Sequence, residues 1–137
     1  MWLILKYEKV KAYKMFKENN GKLYSAFPHI YKNYEYISIP YSKVEWNERK
    51  ERFGPICAFD TLENAKTFLK KMREPVIKFV IYQIEAVPSL DKDVWEWEGC
   101  EGNGTFYFYM KNIDLPNGTI LVDRFKIIRE VFGDESI

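Results

Sequence analysis

The first clear signal along the chain is an Asn-Gly pair between two segments of mixed apolar and polar residues. Residues 14–18 and 22–27 flank the sequence Asn19-Asn20-Gly21. Asn and Gly both tolerate positive φ, which a tight turn between two antiparallel strands requires. The pattern therefore predicts a β-hairpin over residues 15–27.

A helical period with clear start and stop signals follows at about residues 61–74. Its apolar positions fall on one stripe, with Phe68 beside it: Leu62, Ala65, Leu69 and Met72. Asp60 or Thr61 can cap the amides of the first turn, and Pro75 ends the helix at or before the preceding residue. An amphipathic helix packed on a core is expected here.

The other apolar segments have strand character: residues 34–39, 56–59, 76–87, 94–98, 106–111 and 120–131, the last as one or two strands. Residues 76–87 are β-branched and apolar on both faces, which predicts a central strand. With the hairpin, the pattern predicts an α+β fold: a mostly antiparallel twisted sheet of about seven or eight strands with one helix. We expect a single domain over 1–137, with a flexible tail over 133–137.

Residues 42–55 break the periodic pattern, because their charges are mixed and no apolar period is present. This composition predicts an exposed, mobile loop. Trp46, Arg49 and Arg52 stand in it, and tryptophan and arginine commonly dominate protein interfaces. The segment is therefore either a solvated loop or a partner-binding segment anchored by Trp46.

Two further tryptophans, Trp95 and Trp97, alternate with Glu96 and Glu98 on one predicted strand. Such a pair can pack in a core, form a protein interface or stack on nucleobases. Because the neighbouring carboxylates repel phosphate, a core or a protein interface is favoured. The same carboxylates could bind a hard cation, but no loop of metal-binding spacing accompanies them, so a polar strand face is favoured.

The composition excludes several chemistries. A net charge of +1 argues against a broad nucleic-acid or membrane footprint but leaves a local patch open. His29 is the single histidine, and Cys57 and Cys100 lack metal-ligand spacing, so no metal and no cofactor are expected. The thiols are expected to be buried in a reducing compartment. No signal-peptide core and no long apolar run is present, which favours a cytoplasmic location, the host cytoplasm if the protein is viral.

Sequence motifs for common catalytic sites are also absent. The chain has no GxGxxG, P-loop or HExxH pattern, and Ser25 lacks the GxSxG context of an activated serine. No catalytic residue is therefore assigned, and a non-enzymatic role is favoured.

The order of elements resembles that of small uncharacterised α+β proteins of phages, archaeal viruses and prophages. The likeness lies in residues 13–17 and 21–26, in the segment 54–68, and in the turn 115–119. The layout is also similar to the ADP-ribosyltransferase fold, which implies NAD-related binding. That resemblance implies a cleft with Ser25 or Tyr36 in the middle role and Glu130 in the last, and with Tyr24 also lining it. The early histidine element is missing, because His29 follows Ser25.

Three functional hypotheses result. The first is a small binding module that contacts a protein or small ligand through Trp46, Arg49, Arg52, Trp95 and Trp97; the resemblance to phage and viral proteins implies a viral or mobile-element accessory protein. The second is a nucleotide- or NAD-related binding protein or an ADP-ribosyltransferase-like enzyme, with a cleft lined by Tyr24, Ser25, Tyr36 and Glu130. The third is a local nucleic-acid binder with a basic stripe formed by Lys9, Lys11, Lys14, Lys17 and Lys22. A homodimer is compatible with all three, and no membrane contact is expected.

Overall fold

The computed structural model describes residues 8–26, 39–49, 54–72, 76–98, 105–111 and 114–133. These residues form the following elements: β1 Val10–Asn19, β2 Lys22–Ser25, β3 Pro40–Tyr41, β4 Asn47–Glu48, β5 Ile56–Phe59, α1 Leu62–Lys71, β6 Lys78–Pro88, β7 Val94–Glu98, β8 Thr105–Met110 and β9 Thr119–Gly133. All strand pairs among them are antiparallel. The predicted α+β class with a mostly antiparallel sheet is confirmed.

Four strands pair in a closed ring. β6 is central, as predicted, and pairs with β1 on one side and with β9 on the other. β5 closes the ring, because it pairs with β9 along its whole length and with β1 through the single pair Tyr13–Phe59. β2 and β3 extend from β1, while β4 extends from β9. The sheet therefore has an interior and an outer face.

The interior of the ring holds the first of two apolar cores. Successive strand residues point to opposite faces, and the even-numbered positions of β1 and β6 point inward. The interior residues are Ala12, Phe16, Leu23, Ile56, Ala58, Val80, Tyr82, Ile84, Ala86, Val122, Phe125 and Ile127. Tyr41 of β3 packs edge-on against Phe16 and Phe125, with ring centroids 5.6 and 5.1 Å apart.

The second core lies between the outer face of the ring and α1. Ala65, Phe68 and Leu69 of the helix are buried against outward-facing strand residues such as Met15 and Phe79. Burial of this stripe is the main reason that a helix of ten residues is stable here.

The helix begins as the sequence predicts. Thr61 is the N-cap, and its hydroxyl accepts a hydrogen bond of 3.1 Å from the Asn64 amide. Glu63 lies in the first turn, while Lys70 and Lys71 lie in the last, where each charge is favoured by the helix dipole. The helix ends at Lys71, before the predicted limit of residue 74, and residues 73–75 lie outside the described ranges.

Two turns depend on positive backbone angles. Asn20 and Gly21 have φ of 54° and 78° and join β1 to β2, which confirms the predicted hairpin. Gly118 has φ of 81°, and its carbonyl accepts a 2.9 Å hydrogen bond from the Asp60 amide next to the start of α1. A side chain at Gly118 would overlap the amide group of Asn64.

Other strand predictions are met with differences in detail. The segment 120–131 forms one strand, β9, rather than two. β7 and β8 form a separate two-stranded sheet with a register shift between Glu96 and Trp97. Residues 34–38 lie outside the described ranges. Of the predicted tail 133–137, Gly133 is the last residue of β9, and residues 134–137 lie outside the described ranges. Within those ranges, no helix has both the length and the apolar character needed to cross a membrane.

Candidate functional site

Trp46 stands in a turn whose shape is set by hydrogen bonds. The buried side chain of Asn47 accepts from the Ser42 amide at 2.8 Å and donates to the Ser42 carbonyl at 3.0 Å. The Ser42 hydroxyl accepts from the amides of Val44 and Glu45. Asn47 also belongs to β4, which pairs with β9. Of the predicted loop 42–55, residues 43–45 are exposed as expected, whereas residues 47–48 form a short strand and the Asn47 side chain ties the turn to the sheet.

Two cations lie against the ring of Trp46. The Arg124 guanidinium carbon is 4.5 Å from the ring centroid, and the Lys9 ammonium is 5.1 Å from it. Both distances are within the range of a favourable cation–π interaction. The Nε atom of Arg124 is buried and has no hydrogen-bond partner among the described residues. A buried donor without a hydrogen-bond partner lowers the stability of the folded protein.

Further cations extend from this pair across the outer face of the sheet. Lys11 of β1 and Lys126 of β9 lie on either side of Glu85 of β6 in one cross-strand row. Residues opposite each other in antiparallel strands share a face, and so do residues two apart on one strand. Lys126 and Arg124 therefore share the outer face with Lys11. We call Lys9, Lys11, Trp46, Arg124 and Lys126 the cationic face.

The cationic face retains an excess of positive charge. Its four cations have two carboxylates as register neighbours, Glu85 between Lys11 and Lys126, and Glu48 opposite Arg124. Lys9 and Lys11 are exposed, while Arg124 and Lys126 are half-buried. A negatively charged ligand can therefore reach the cations.

Arg49, predicted as a partner-binding residue, makes ion pairs within the protein. Its Nη1 atom donates to Asp91 Oδ2 at 2.7 Å and to Asp123 Oδ1 at 2.9 Å. Burial lowers the pKa of the guanidinium, but hydrogen bonds and charges from Asp123 and Asp91 outweigh it, and the pKa is raised. Arg49 thus links the segment after β4 to the loop after β6 and to β9.

The two other tryptophans predicted to bind a partner lie on β7, in the separate two-stranded sheet. Trp95 lies opposite Tyr109, and Trp97 lies opposite Phe106, in the register of β7 and β8. Arg52 lies outside the described residues. The structure thus brings one of the five predicted residues, Trp46, together with cations on the sheet.

The residues of the predicted nucleotide cleft lie on separated strands. Ser25 on β2 is buried, and its hydroxyl accepts from the Ile39 amide at 3.1 Å. Glu130 lies in the part of β9 that pairs with β6, so β1 and β6 stand between it and β2. Its carboxylate accepts from the Tyr82 hydroxyl at 3.4 Å. Tyr24 is half-buried beside Ser25, and Tyr36 lies outside the described ranges.

Lys14 occupies a position that the sequence did not indicate. It was expected in an exposed basic stripe, but its side chain points into the ring and is 2% exposed. Its ammonium donates to the Cys57 carbonyl at 2.9 Å and lies 5.4–5.8 Å from the ring centroids of Phe16, Tyr41 and Phe125. The alternation of Ala12, Lys14 and Phe16 on one strand face was the signal for this position.

The environment of Lys14 disfavours its charge. Burial lowers the pKa of Lys14 to about 8, and the Cys57 side chain opposes that shift. Burial raises the pKa of the Cys57 thiol to about 12, so the thiol is neutral, and it is free. The other buried polar residues of the described ranges are Ser25 and Asn47, so no buried carboxylate there balances the ammonium.

The described residues contain no group of three His, Cys, Asp or Glu side chains that could hold a metal ion. Comparisons with protein-family models, with curated proteins and with solved structures find no match to this chain.

Proposed function

We propose that the protein is a non-enzymatic binding module and that its cationic face binds an anionic partner. The observation that carries this proposal is the placement of Trp46. A turn fixed by Asn47 holds the indole against Arg124 and Lys9, on a sheet face that continues with Lys11 and Lys126. Tryptophan and arginine are the residues that most often dominate binding energy at interfaces.

The arrangement of Trp46 and Arg124 suits recognition of an oxyanion. A guanidinium in contact with an aromatic ring keeps N–H groups that can donate to a carboxylate or a phosphate. Because Trp46 and Arg124 are already in contact, little side-chain entropy is lost when a ligand binds.

The groups that a catalytic hypothesis would use are engaged elsewhere. The Ser25 hydroxyl accepts a backbone hydrogen bond, and Glu130 is paired with Tyr82 on a different part of the sheet. General-base activation of a serine requires the base within hydrogen-bond reach. These positions favour a binding role over acyl transfer or ADP-ribosyl transfer.

The proposal is tested with polyanions and charge-matched variants. Wild-type protein should be retained on a heparin column at low salt and elute as the salt concentration rises, because the contacts are electrostatic. Arg124→Gln and Lys126→Gln should elute earlier than wild type. Lys70→Gln changes the net charge equally, but its side chain is exposed on α1 outside the cationic face, so it should elute with wild type.

The elution order separates a local site from a general charge effect. Equal shifts in all three variants would show that only net charge matters and would contradict the proposal. Failure of wild-type protein to bind heparin, and to bind a labelled polyglutamate or an oligonucleotide at low salt, would also contradict it. Thermal unfolding of each variant establishes that the compared proteins are folded.

A further inference from the structure

We infer that the anionic partner is single-stranded nucleic acid, with one base stacked on Trp46 and the adjacent phosphates on the cations of the two flanking strands. This inference rests on the proposed function and adds the chemical class of the partner. It draws on the spacing of the charges, on the position of the aromatic ring among them, and on the exposure of Lys9.

The spacing of the cations fits a chain of repeated negative charges. Lys9 and Lys11 are two residues apart, or roughly 6.8 Å along an extended chain. Lys11 and Lys126 lie two strands apart in one row, which corresponds to roughly 9.6 Å. These are backbone spacings, and flexible lysine side chains can converge on one phosphate or carboxylate, but a single oxyanion cannot give each of the four cations an oxyanion of its own. A polymer with charges along its backbone can contact all of them at once.

The ring of Trp46 favours a nucleic acid over an acidic peptide as the anionic partner. A nucleotide combines a flat aromatic base with a phosphate, whereas an acidic peptide supplies charges without a ring. Trp46 is half-buried and stands at the edge of the cation rows, next to Arg124 and Lys9. Bases stack on tryptophan with little dependence on their identity, and nearby arginine strengthens the contact.

A base can displace the Lys9 ammonium from the face of the Trp46 ring, and the ammonium can then bind a phosphate. The Lys9 side chain is exposed and precedes β1, so it moves at little cost. Stacking of a base on an aromatic side chain is worth more than an exposed cation–π contact. A base that displaces Lys9 therefore gains the ring face, and the freed ammonium lies within reach of the phosphate attached to that base.

A single strand fits this face better than a duplex. The bases of a duplex are stacked inside the helix, so none can reach Trp46 without unpairing. Glu85 and Glu48 also reduce the positive potential, which leaves few phosphate contacts for a stiff duplex. With three to four phosphate contacts, the logarithm of the binding constant should fall with the logarithm of salt concentration at a slope of about −2 to −3.

The experiment measures fluorescence anisotropy of labelled probes at low salt with the full chain. The probes are a twelve-nucleotide oligothymidylate, the same strand annealed to its complement, and a polyglutamate peptide of equal charge. The single strand should bind most tightly. Trp46→Ala should weaken its binding about tenfold, which is the scale of one lost base stack, and should leave the weaker polyglutamate binding nearly unchanged.

The outcomes separate this inference from the proposed function. If polyglutamate binds as tightly as the single strand, or if Trp46→Ala affects both equally, the nucleic-acid inference fails while the binding function stands. If no probe binds, both fail. Tighter binding to the duplex overturns the single-strand assignment. Should Trp46→Ala not fold, Trp46→Leu tests the same contact, because it keeps a large apolar side chain in the turn but removes the aromatic face, and it should weaken binding of the single strand while leaving polyglutamate binding nearly unchanged.

Discussion

Replacing Lys14 with methionine removes a buried charge from the interior of the ring and keeps a flexible side chain of similar length. The wild-type ammonium faces the Cys57 carbonyl on β5 and the rings of Phe16, Tyr41 and Phe125 on β1, β3 and β9. Tyr82 of β6 is its cross-strand neighbour. The ammonium donates a hydrogen bond to the Cys57 carbonyl, and none of these neighbouring groups is a carboxylate.

The pKa of Lys14 gives the size of the effect. Its value falls from 10.5 to about 8 in the folded protein, chiefly because of burial. A shift of this size corresponds to about 3 kcal/mol at 1.36 kcal/mol per pKa unit. Between pH 8 and pH 10.5 the unfolded chain binds more protons than the folded protein. The destabilisation by Lys14 is therefore fully present below pH 8 and is relieved as the pH rises towards 10.5.

The methionine variant should respond to pH differently from wild type. At pH 7 it avoids the penalty of about 3 kcal/mol but leaves the Cys57 carbonyl without its donor, which costs about 1–3 kcal/mol. We therefore expect Lys14→Met to be between equally stable and about 2 kcal/mol more stable at pH 7. Between pH 7 and pH 10 this difference should move by about 2–3 kcal/mol in favour of wild type.

Urea unfolding followed by tryptophan fluorescence at several pH values measures this difference. Groups that titrate in both proteins contribute equally to the two free energies of unfolding. The change with pH in the difference between these free energies therefore reports on Lys14. Lys11→Met is the matched control, because it removes an exposed lysine from the outer face of the same strand. If its difference from wild type changed with pH as much as that of Lys14→Met, burial of Lys14 would not be the cause. A constant difference for Lys14→Met would refute the reasoning.

Three further substitutions test how the fold is held together. Gly118→Ala should destabilise the protein by about 1–3 kcal/mol in urea unfolding, because φ is +81° and the methyl group would overlap Asn64. Thr61→Ala should lower stability by about 1 kcal/mol through loss of the helix cap, while Thr61→Ser retains the cap and should match wild type. Asn47→Ala should cost about 1–3 kcal/mol and weaken binding of the single-stranded probe, since the turn that positions Trp46 loses its buried hydrogen bonds; unchanged binding of that probe by a folded variant would contradict that role.

Local signals were sufficient for the hairpin and the helix. The Asn20-Gly21 turn requires positive φ at adjacent residues, and the Thr61 cap depends on a residue three positions away. Closure of the ring was not predictable in this way. It rests on β5 meeting both β1 and β9, and pairing between strands distant in sequence leaves no mark on their periodicity.

Only part of the candidate site was predictable, again because local patterns do not show contacts between residues distant in sequence. Trp46 was notable within its own segment, because an aromatic residue among charges is a candidate anchor. Its contact with Arg124 joins residues far apart in the chain, and no pattern near either residue indicates the other. Lys14 was misplaced because lysine is rarely buried, so its position on an apolar face was outweighed by its charge.

The salt dependence of single-strand binding tests the central claim most directly, because its slope counts the phosphate contacts. The account predicts a slope of about −2 to −3 for wild type and a slope smaller in magnitude by about 0.7 for Lys126→Gln. Lys70→Gln, which changes the net charge equally but lies on α1, should retain the wild-type slope. Identical slopes for all three proteins, or an equal reduction in both variants, would contradict the claim that the cationic face around Trp46 is the binding site.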